Sequence, residues 1–190
     1  MISIRYASIR SIDISNGEGV GISIFVQGCC FHCHNCFNPE TWDFNGGKEW
    51  TEEVKNKFLE LANRTYIKRI SILGGEPLAE ENVDDVLDLV NEIRLSIPNK
   101  SIWLYSGYTW ESIMQYEPID TDDFDYIEES YIDIQFEKRK KILSNCNVFI
   151  DGKFIDSQKD IKLCWRGSSN QRVISVKESL EHNKIILYCN

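Results

Sequence analysis

The chain has 190 residues, with 21 Lys+Arg against 30 Asp+Glu and a formal net charge of −9. Apolar residues make up 42% and charged residues 27%, a composition that excludes wholesale disorder and a fibrous fold. The acidic balance argues against non-specific binding to nucleic acid or anionic membranes, and no apolar run approaches the ~20 residues that span a bilayer. With a polar start at Met1-Ile2-Ser3-Ile4-Arg5 and no signal peptide, the expectation is a cytoplasmic protein.

Val20, Ile22, Ile24 and Val26 alternate along one face and predict a strand over 20–26. The cysteine-bearing segment follows at once, so it is a loop leaving a strand end. Thr51 caps a predicted helix that opens on Glu52 and Glu53 and carries Val54, Phe58 and Leu61 as its apolar stripe. Residues 69–73 read as a short buried strand, broken by Gly74-Gly75-Glu76-Pro77. Val83, Val86, Leu87, Val90 and Ile93 mark a second amphipathic helix that ends before Pro98. A strand over 101–105 then turns at Ser106-Gly107 into a short helix over 109–116.

Residues 117–129 hold seven acids and no base, read as a solvated loop or exposed helix face. A helix is predicted over 131–145, with Lys138-Arg139-Lys140-Lys141 facing solvent, and strands over 147–150, 172–176 and 184–188. Strand–helix repeated three times implies a parallel sheet of βαβ units. A complete eight-unit barrel takes ~250 residues, so this chain holds roughly six strand–helix units at most. The expected fold is α/β, an open partial (β/α) barrel forming a single domain over 1–190. In such folds ligands gather at the carboxyl ends of the strands, where both the cysteine loop and the Gly-Gly loop lie.

Four of the seven cysteines, Cys29, Cys30, Cys33 and Cys36, fall within eight positions. An odd count without a secretory signal fits a disulfide framework poorly and points to metal or redox chemistry. Cys146, Cys164 and Cys189 are scattered and read as small buried apolar residues. Three ligand sets compete for the cluster of thiols. Cys29, Cys33 and Cys36 would hold a 4Fe–4S cluster with one iron left open to a small molecule. Cys30, Cys33 and Cys36 have the spacing of electron-carrier ferredoxins, but position 40, where a fourth cysteine would follow, is Glu40. Zinc would need His32 or His34 to complete a Cys3His site. The glycines of Gly74-Gly75-Glu76 would let a ligand reach free backbone N–H and C=O groups.

Gly28-Cys29 with Cys33 and Cys36, followed by Phe37-Asn38-Pro39-Glu40-Thr41-Trp42, resembles the radical S-adenosylmethionine (SAM) activating enzymes of anaerobic ribonucleotide reductase. The resemblance continues through Gly74-Gly75-Glu76-Pro77, residues 105–111 (Tyr-Ser-Gly-Tyr-Thr-Trp-Glu), residues 150–154 and the Arg-Gly-Ser-Ser-Asn-Gln run at 166–171. It implies a radical SAM partial barrel with a 4Fe–4S cluster on Cys29, Cys33 and Cys36. SAM would be contacted by Asn35, Cys36, Phe37, Gly74, Gly75 and Glu76. Asn35 stands where many superfamily members have an aromatic residue, and Phe37 follows the cysteine instead, so that stretch is taken as one unit. The implied reaction is reductive cleavage of SAM to a 5′-deoxyadenosyl radical, which abstracts hydrogen from a glycine of the reductase. The implied partners are the reductase large subunit and a reducing electron donor such as a flavodoxin, with neither nucleic acid nor membrane. The alternatives are an activase of another glycyl-radical enzyme, of the pyruvate formate-lyase type, and an iron–sulfur electron carrier. No acid–base pair or nucleophile is required, so no catalytic residue is assigned.

Overall fold

Alternation along the central strands decides the architecture. In β2 (Gly21–Val26) every residue is buried, yet its two faces differ in chemistry. Ile22, Ile24 and Val26 join the main apolar core, whereas Gly21, Ser23 and Phe25 point to the opposite face. The same split recurs in β4 (Arg69–Gly74), with Ile70 and Ile72 in the core and Arg69, Ser71 and Leu73 opposite. It recurs again in β5 (Ser101–Tyr105), where Ile102 and Leu104 oppose Trp103 and Tyr105.

A computed structural model describes residues 4–114 and 126–189, with side chains from 134 onward in the second stretch. The apolar face of the sheet is covered by α1 (Glu52–Ala62), α2 (Val83–Ser96), α3 (Trp110–Met114), α4 (Tyr126–Ser144) and α5 (Val176–His182). Phe58, Val86, Val90, Ile113, Leu143 and Val176 bring all five helices into one core with the strand isoleucines. Thr51 caps α1 as expected, its hydroxyl accepting from the Val54 N–H at 3.3 Å.

The remaining strands are β1 (Arg5–Asp13), β3 (Lys48–Glu49), β6 (Val148–Asp151), β7 (Arg172–Ser175) and β8 (Leu187–Cys189). Among the described residues the sheet has eight strands in the order β3-β1-β2-β4-β5-β6-β7-β8. The central pairs β2–β4, β4–β5 and β5–β6 are parallel. The outer pairs β1–β2, β1–β3, β6–β7 and β7–β8 are antiparallel. The expected all-parallel sheet is therefore corrected to a mixed α/β sheet. The β1–β2 link is too short for a crossover, which takes a dozen residues or more, so β1 returns alongside β2 as a hairpin.

β1 and α5 are absent from the sequence reading because β1 has a mixed inward and outward pattern and α5 is only two turns long. The α4 helix begins at 126, before the expected 131, and the acidic stretch over 117–125 lies outside the described residues. Arg139 is a second correction. It is 7% exposed rather than solvent-facing, with Nε donating to the Leu78 carbonyl at 2.9 Å and the guanidinium 4.7 Å from the Tyr108 ring centre. Cys146 is buried as expected, but Cys164 is exposed.

Candidate functional site

The carboxyl ends of β2, β4, β5 and β6 converge on one cavity of about 540 Å³. The loop leaving β2 is clamped at its root. Gly28 takes φ +93° and donates its N–H to the Thr41 carbonyl at 2.8 Å, while the Cys29 N–H donates to Trp42 O at 3.1 Å. Gln27 reaches across, its amide donating to Glu40 O and Asp43 O at 3.0 and 2.8 Å. Both ends of the cysteine segment are thus fixed to one another before any ligand binds.

The glycine loop after β4 docks onto the same root. Glu76 N–H donates to Gly28 O at 2.7 Å and Gly75 N–H to Val26 O at 2.9 Å. A Cβ on Gly75 would lie 2.2 Å from the Gly28 oxygen. The expectation of free N–H groups here is corrected for Gly75 and Glu76: both are spent on loop-to-loop packing. Glu76 is 1% exposed, and its carboxylate accepts from Leu78 N–H at 2.8 Å, Ser106 Oγ at 2.7 Å and Gly107 N–H at 2.7 Å. Burial pushes its carboxyl up to about 7, against those donors and the nearby Arg139 cation. The side chain brackets the β4 and β5 loops together.

Cys29, Cys33 and Cys36 all line the cavity, half-buried, whereas Cys30 is exposed and outside the lining. Burial pushes the Cys29 thiol up to about 11, partly offset by the N–H groups of Phe31 and His32. It raises Cys33 as well, offset by the Phe154 N–H. Iron displaces such protons when it binds. Among the described residues no three His, Cys, Asp or Glu side chains converge closely enough to hold a single metal ion. A 4Fe–4S cluster asks for something different: thiols set around a wall, each on its own iron, four of them ordinarily and three where one iron is left open to a ligand. Three lining thiols and an excluded fourth match that donor set.

Gly74, Gly75 and Glu76 line the cavity, and so does Phe37, which is 57% exposed and packs on Phe154 with ring centres 5.0 Å apart. Asn35 does not. It takes φ +54° and donates its amide to Asp156 at 2.9 Å, away from the lining. His32 lies against Trp42, ring centres 4.8 Å apart, and His34 sits 3.7 Å from Asp156. Asp151, at the end of β6, is structural. It accepts from the Trp110 N–H at 2.9 Å at the start of α3 and from Arg172 Nε at 3.0 Å, and Arg172 also holds Glu111 at 2.7 Å.

The Arg-Gly-Ser-Ser-Asn-Gln run turns out to brace the loop after β6. Gln171 donates to Gly152 O at 2.9 Å, Asn170 to Lys153 O at 2.8 Å, and Ser168 Oγ accepts from the Ile155 N–H at 3.1 Å. A Cβ on Gly167 would come 2.7 Å from the Phe37 ring. The run thereby sets Lys153 and Phe154 over the cysteine loop, with Lys153 Nζ 4.4 Å from the Phe31 ring centre. The sequence reading missed Arg10, Ser15 and Asn16, which reach the lining from β1 and the turn after it. Their signal was the unrecognised first strand.

The class that this fold and thiol-lined cavity define is met by a family model: residues 15–174 match the 4Fe-4S single cluster domain. The chain is 37% identical over 171 residues to the anaerobic ribonucleoside-triphosphate reductase-activating protein of Salmonella typhimurium, covering 89% of this chain and 97% of that one. It is 36% identical over the same shares to the protein of that name from Escherichia coli K12. The enterobacteria phage T4 protein of that name is 31% identical over 171 residues, 90% of this chain and 94% of its own. The chain belongs to the family of anaerobic ribonucleoside-triphosphate reductase-activating proteins. No helix among the described residues is long and apolar enough to cross a membrane.

Proposed function

We propose that this protein activates an anaerobic ribonucleotide reductase by radical SAM chemistry, with Cys29, Cys33 and Cys36 holding a 4Fe–4S cluster and SAM bound beside it. The observation that carries the reading is the placement of these three thiols around one cavity while Cys30 stays outside. A cluster held by these thiols would, when reduced, supply the electron for cleavage of SAM to methionine and a 5′-deoxyadenosyl radical, the species that would take hydrogen from a glycine of the reductase. This chain's residues bind, orient and shield. The clamped root at Gly28 and Gly75 fixes the cysteine loop relative to the sheet. Phe31, Phe37, Phe154 and Trp165 wall the cavity and exclude water from the reacting atoms.

In this reading the mixed sheet curves as an open partial barrel, and its open side receives the reductase. Ile12, Ile14, Phe37, Ile155 and Ile161 are exposed apolar residues on segments that also line the cavity. They suit the docking that brings a glycine within the roughly 3–3.5 Å that transfer requires. An electron donor such as a flavodoxin completes the cycle, and a cytoplasmic location follows from these partners.

The test is anaerobic reconstitution with iron and sulfide, followed by a reductant-driven SAM cleavage assay with and without the reductase. The expected result is 5′-deoxyadenosine formation and a glycyl-radical EPR doublet on the reductase. Cys29→Ala should abolish both, and Cys30→Ala should largely preserve them. The opposite ranking would move the cluster to ferredoxin-like spacing, and SAM cleavage without a reductase radical would assign another glycyl-radical enzyme. A cluster that leaves SAM intact would favour the electron carrier.

A further inference from the structure

One bulky residue at the cavity holds a backbone conformation that such residues rarely adopt. Trp165 takes φ +58°, in the left-handed region that suits glycine and asparagine. A conformation of this kind persists only where the surroundings over-determine it. The loop that contains it is pinned at its base, with Lys159 bridged to Ser168 and the Asp160 N–H donating to Gly167 O at 3.3 Å. Beyond that base the loop reaches into solvent, with Ile161 90% exposed and Cys164 exposed. Leu163, Trp165, Arg166 and Gly167 nevertheless line the cavity.

What fixes the indole comes from the far end of the chain. Trp165 meets Trp103 of β5 edge to face, ring centres 4.9 Å apart and planes at 84°. Tyr188 of β8 packs against both, 5.3 Å from Trp103 and 6.0 Å from Trp165. Its hydroxyl donates to the carboxylate of Glu18, which ties the last strand to the turn before β2. The left-handed turn at Trp165 leads into Gly167, where a Cβ would come 2.7 Å from the Phe37 ring of the cysteine loop. β8 lies outside residues 15–174, the stretch that matches the family model.

We propose that Tyr188 is a positioning residue: with Trp103 it clamps Trp165 in its left-handed conformation and so sets the cavity wall that faces Phe37. Tyr188 does not line the cavity itself, so it acts through Trp165 and Gly167. The clamp belongs to the protein alone; its effect on SAM rests on the functional reading above.

The experiment compares full-length wild type with Tyr188→Phe, Tyr188→Ala, Trp165→Gly and the Trp165→Gly/Tyr188→Ala double variant, all after reconstitution with iron and sulfide. Leu61→Ala, in α1 on the opposite face of the sheet, is the control for general destabilisation, and far-UV circular dichroism reports folding. The first readout needs no SAM: the rate of native-state trypsin cleavage after Lys162 and Arg166. It should rise about five- to tenfold in Tyr188→Ala, the factor expected for lost ring contacts, and stay within about twofold in Tyr188→Phe. The near-UV circular dichroism of the paired indoles should weaken in Tyr188→Ala and hold in Tyr188→Phe. In Trp165→Gly, which has no side chain to clamp, adding Tyr188→Ala should change the cleavage rate no further. The SAM dissociation constant should rise by a similar factor in Tyr188→Ala at unchanged iron content. Should Tyr188→Ala not fold, Tyr188→Leu keeps apolar bulk on β8 and answers the same question. Equal cleavage of wild type and Tyr188→Ala, an equal rise in Leu61→Ala, or a full further rise in the double variant overturns the clamp. A freed loop with unchanged SAM affinity overturns the positioning role. A wild type that binds no SAM, with the loop still freed in Tyr188→Ala, keeps the clamp and rejects the functional reading instead.

Discussion

Two buried acids at opposite ends of the sheet show how differently one side chain type can be used. Asp13 is 4% exposed at the end of β1 and Glu76 is 1% exposed at the end of β4. Each accepts at least three hydrogen bonds from the protein. Burial raises both, yet Asp13 ends at about 2 and Glu76 at about 7. Against burial, Asp13 is lowered first by the Asn16 N–H and next by a guanidinium in direct contact, Arg69 at 2.9 Å, with the Ser15 N–H after it. Glu76 has neutral donors, with Arg139 acting only from a distance. At Glu76 burial outweighs the donors, whereas at Asp13 the Asn16 N–H and the contacting cation together outweigh burial.

The largest way to break this contrast is to remove the cation. Arg69 is 1% exposed, and Gly21 and Gly17 make room for it, since a Cβ at either would come 2.5 and 2.7 Å from its side chain. Arg69→Met leaves Asp13 buried without its contacting cation, with only the more exposed Arg10 at 3.8 Å, and should cost about 3–5 kcal/mol in urea denaturation at pH 7. In the double variant Asp13→Asn/Arg69→Met much of that loss should return. If the single and double variants are equally unstable, the pair is a packing feature and not an electrostatic one.

The pH dependence sharpens the contrast. The Glu76 carboxyl titrates at about 7 folded against 4.5 when free. Between those values the unfolded chain has already lost the proton that the folded chain retains. Stability should therefore fall as pH rises through that window, by about 3 kcal/mol at most. Glu76→Gln should flatten it. Asp13 carries the opposite sign. Its contribution is present above 3.8 and is lost as pH falls toward about 2, a span of roughly 2 kcal/mol that Asp13→Asn should remove. Denaturation midpoints from about pH 2 to 8 measure both limbs.

The smallest expected loss comes from the close approach that Glu76 bridges. Gly75→Ala places a Cβ where the Gly28 oxygen lies at 2.2 Å, so the two loops must part. Overpacking of this kind costs about 1–3 kcal/mol. Bound iron after reconstitution should fall with it, because the same contact holds the root of the cysteine loop. Full stability and full iron content in Gly75→Ala would mean that the loops separate freely.

The sequence by itself determined the helix-covered half of the sheet and the location of the site. Period-2 runs at 20–26, 69–73 and 101–105 and the 3.6-residue stripes of α1 and α2 are local patterns, and each became the expected element within a few residues. The cysteine spacing likewise put three thiols in one short loop, and strand ends put that loop beside Gly74-Gly75. Only the tertiary structure decided what those groups do there. The N–H groups of Gly75 and Glu76 turned inward, Asn35 turned to Asp156, and Arg139 left its run of lysines to cross over Tyr108. Tertiary structure also supplied β1 and, with it, Arg10, and the bracing of Lys153 and Phe154 by Asn170 and Gln171. The physical reason is separation along the chain. Periodicity reports whether a residue faces the core of its own element, but burial and hydrogen-bond partners at this site come from segments up to 121 positions apart, as Asn35 and Asp156 are.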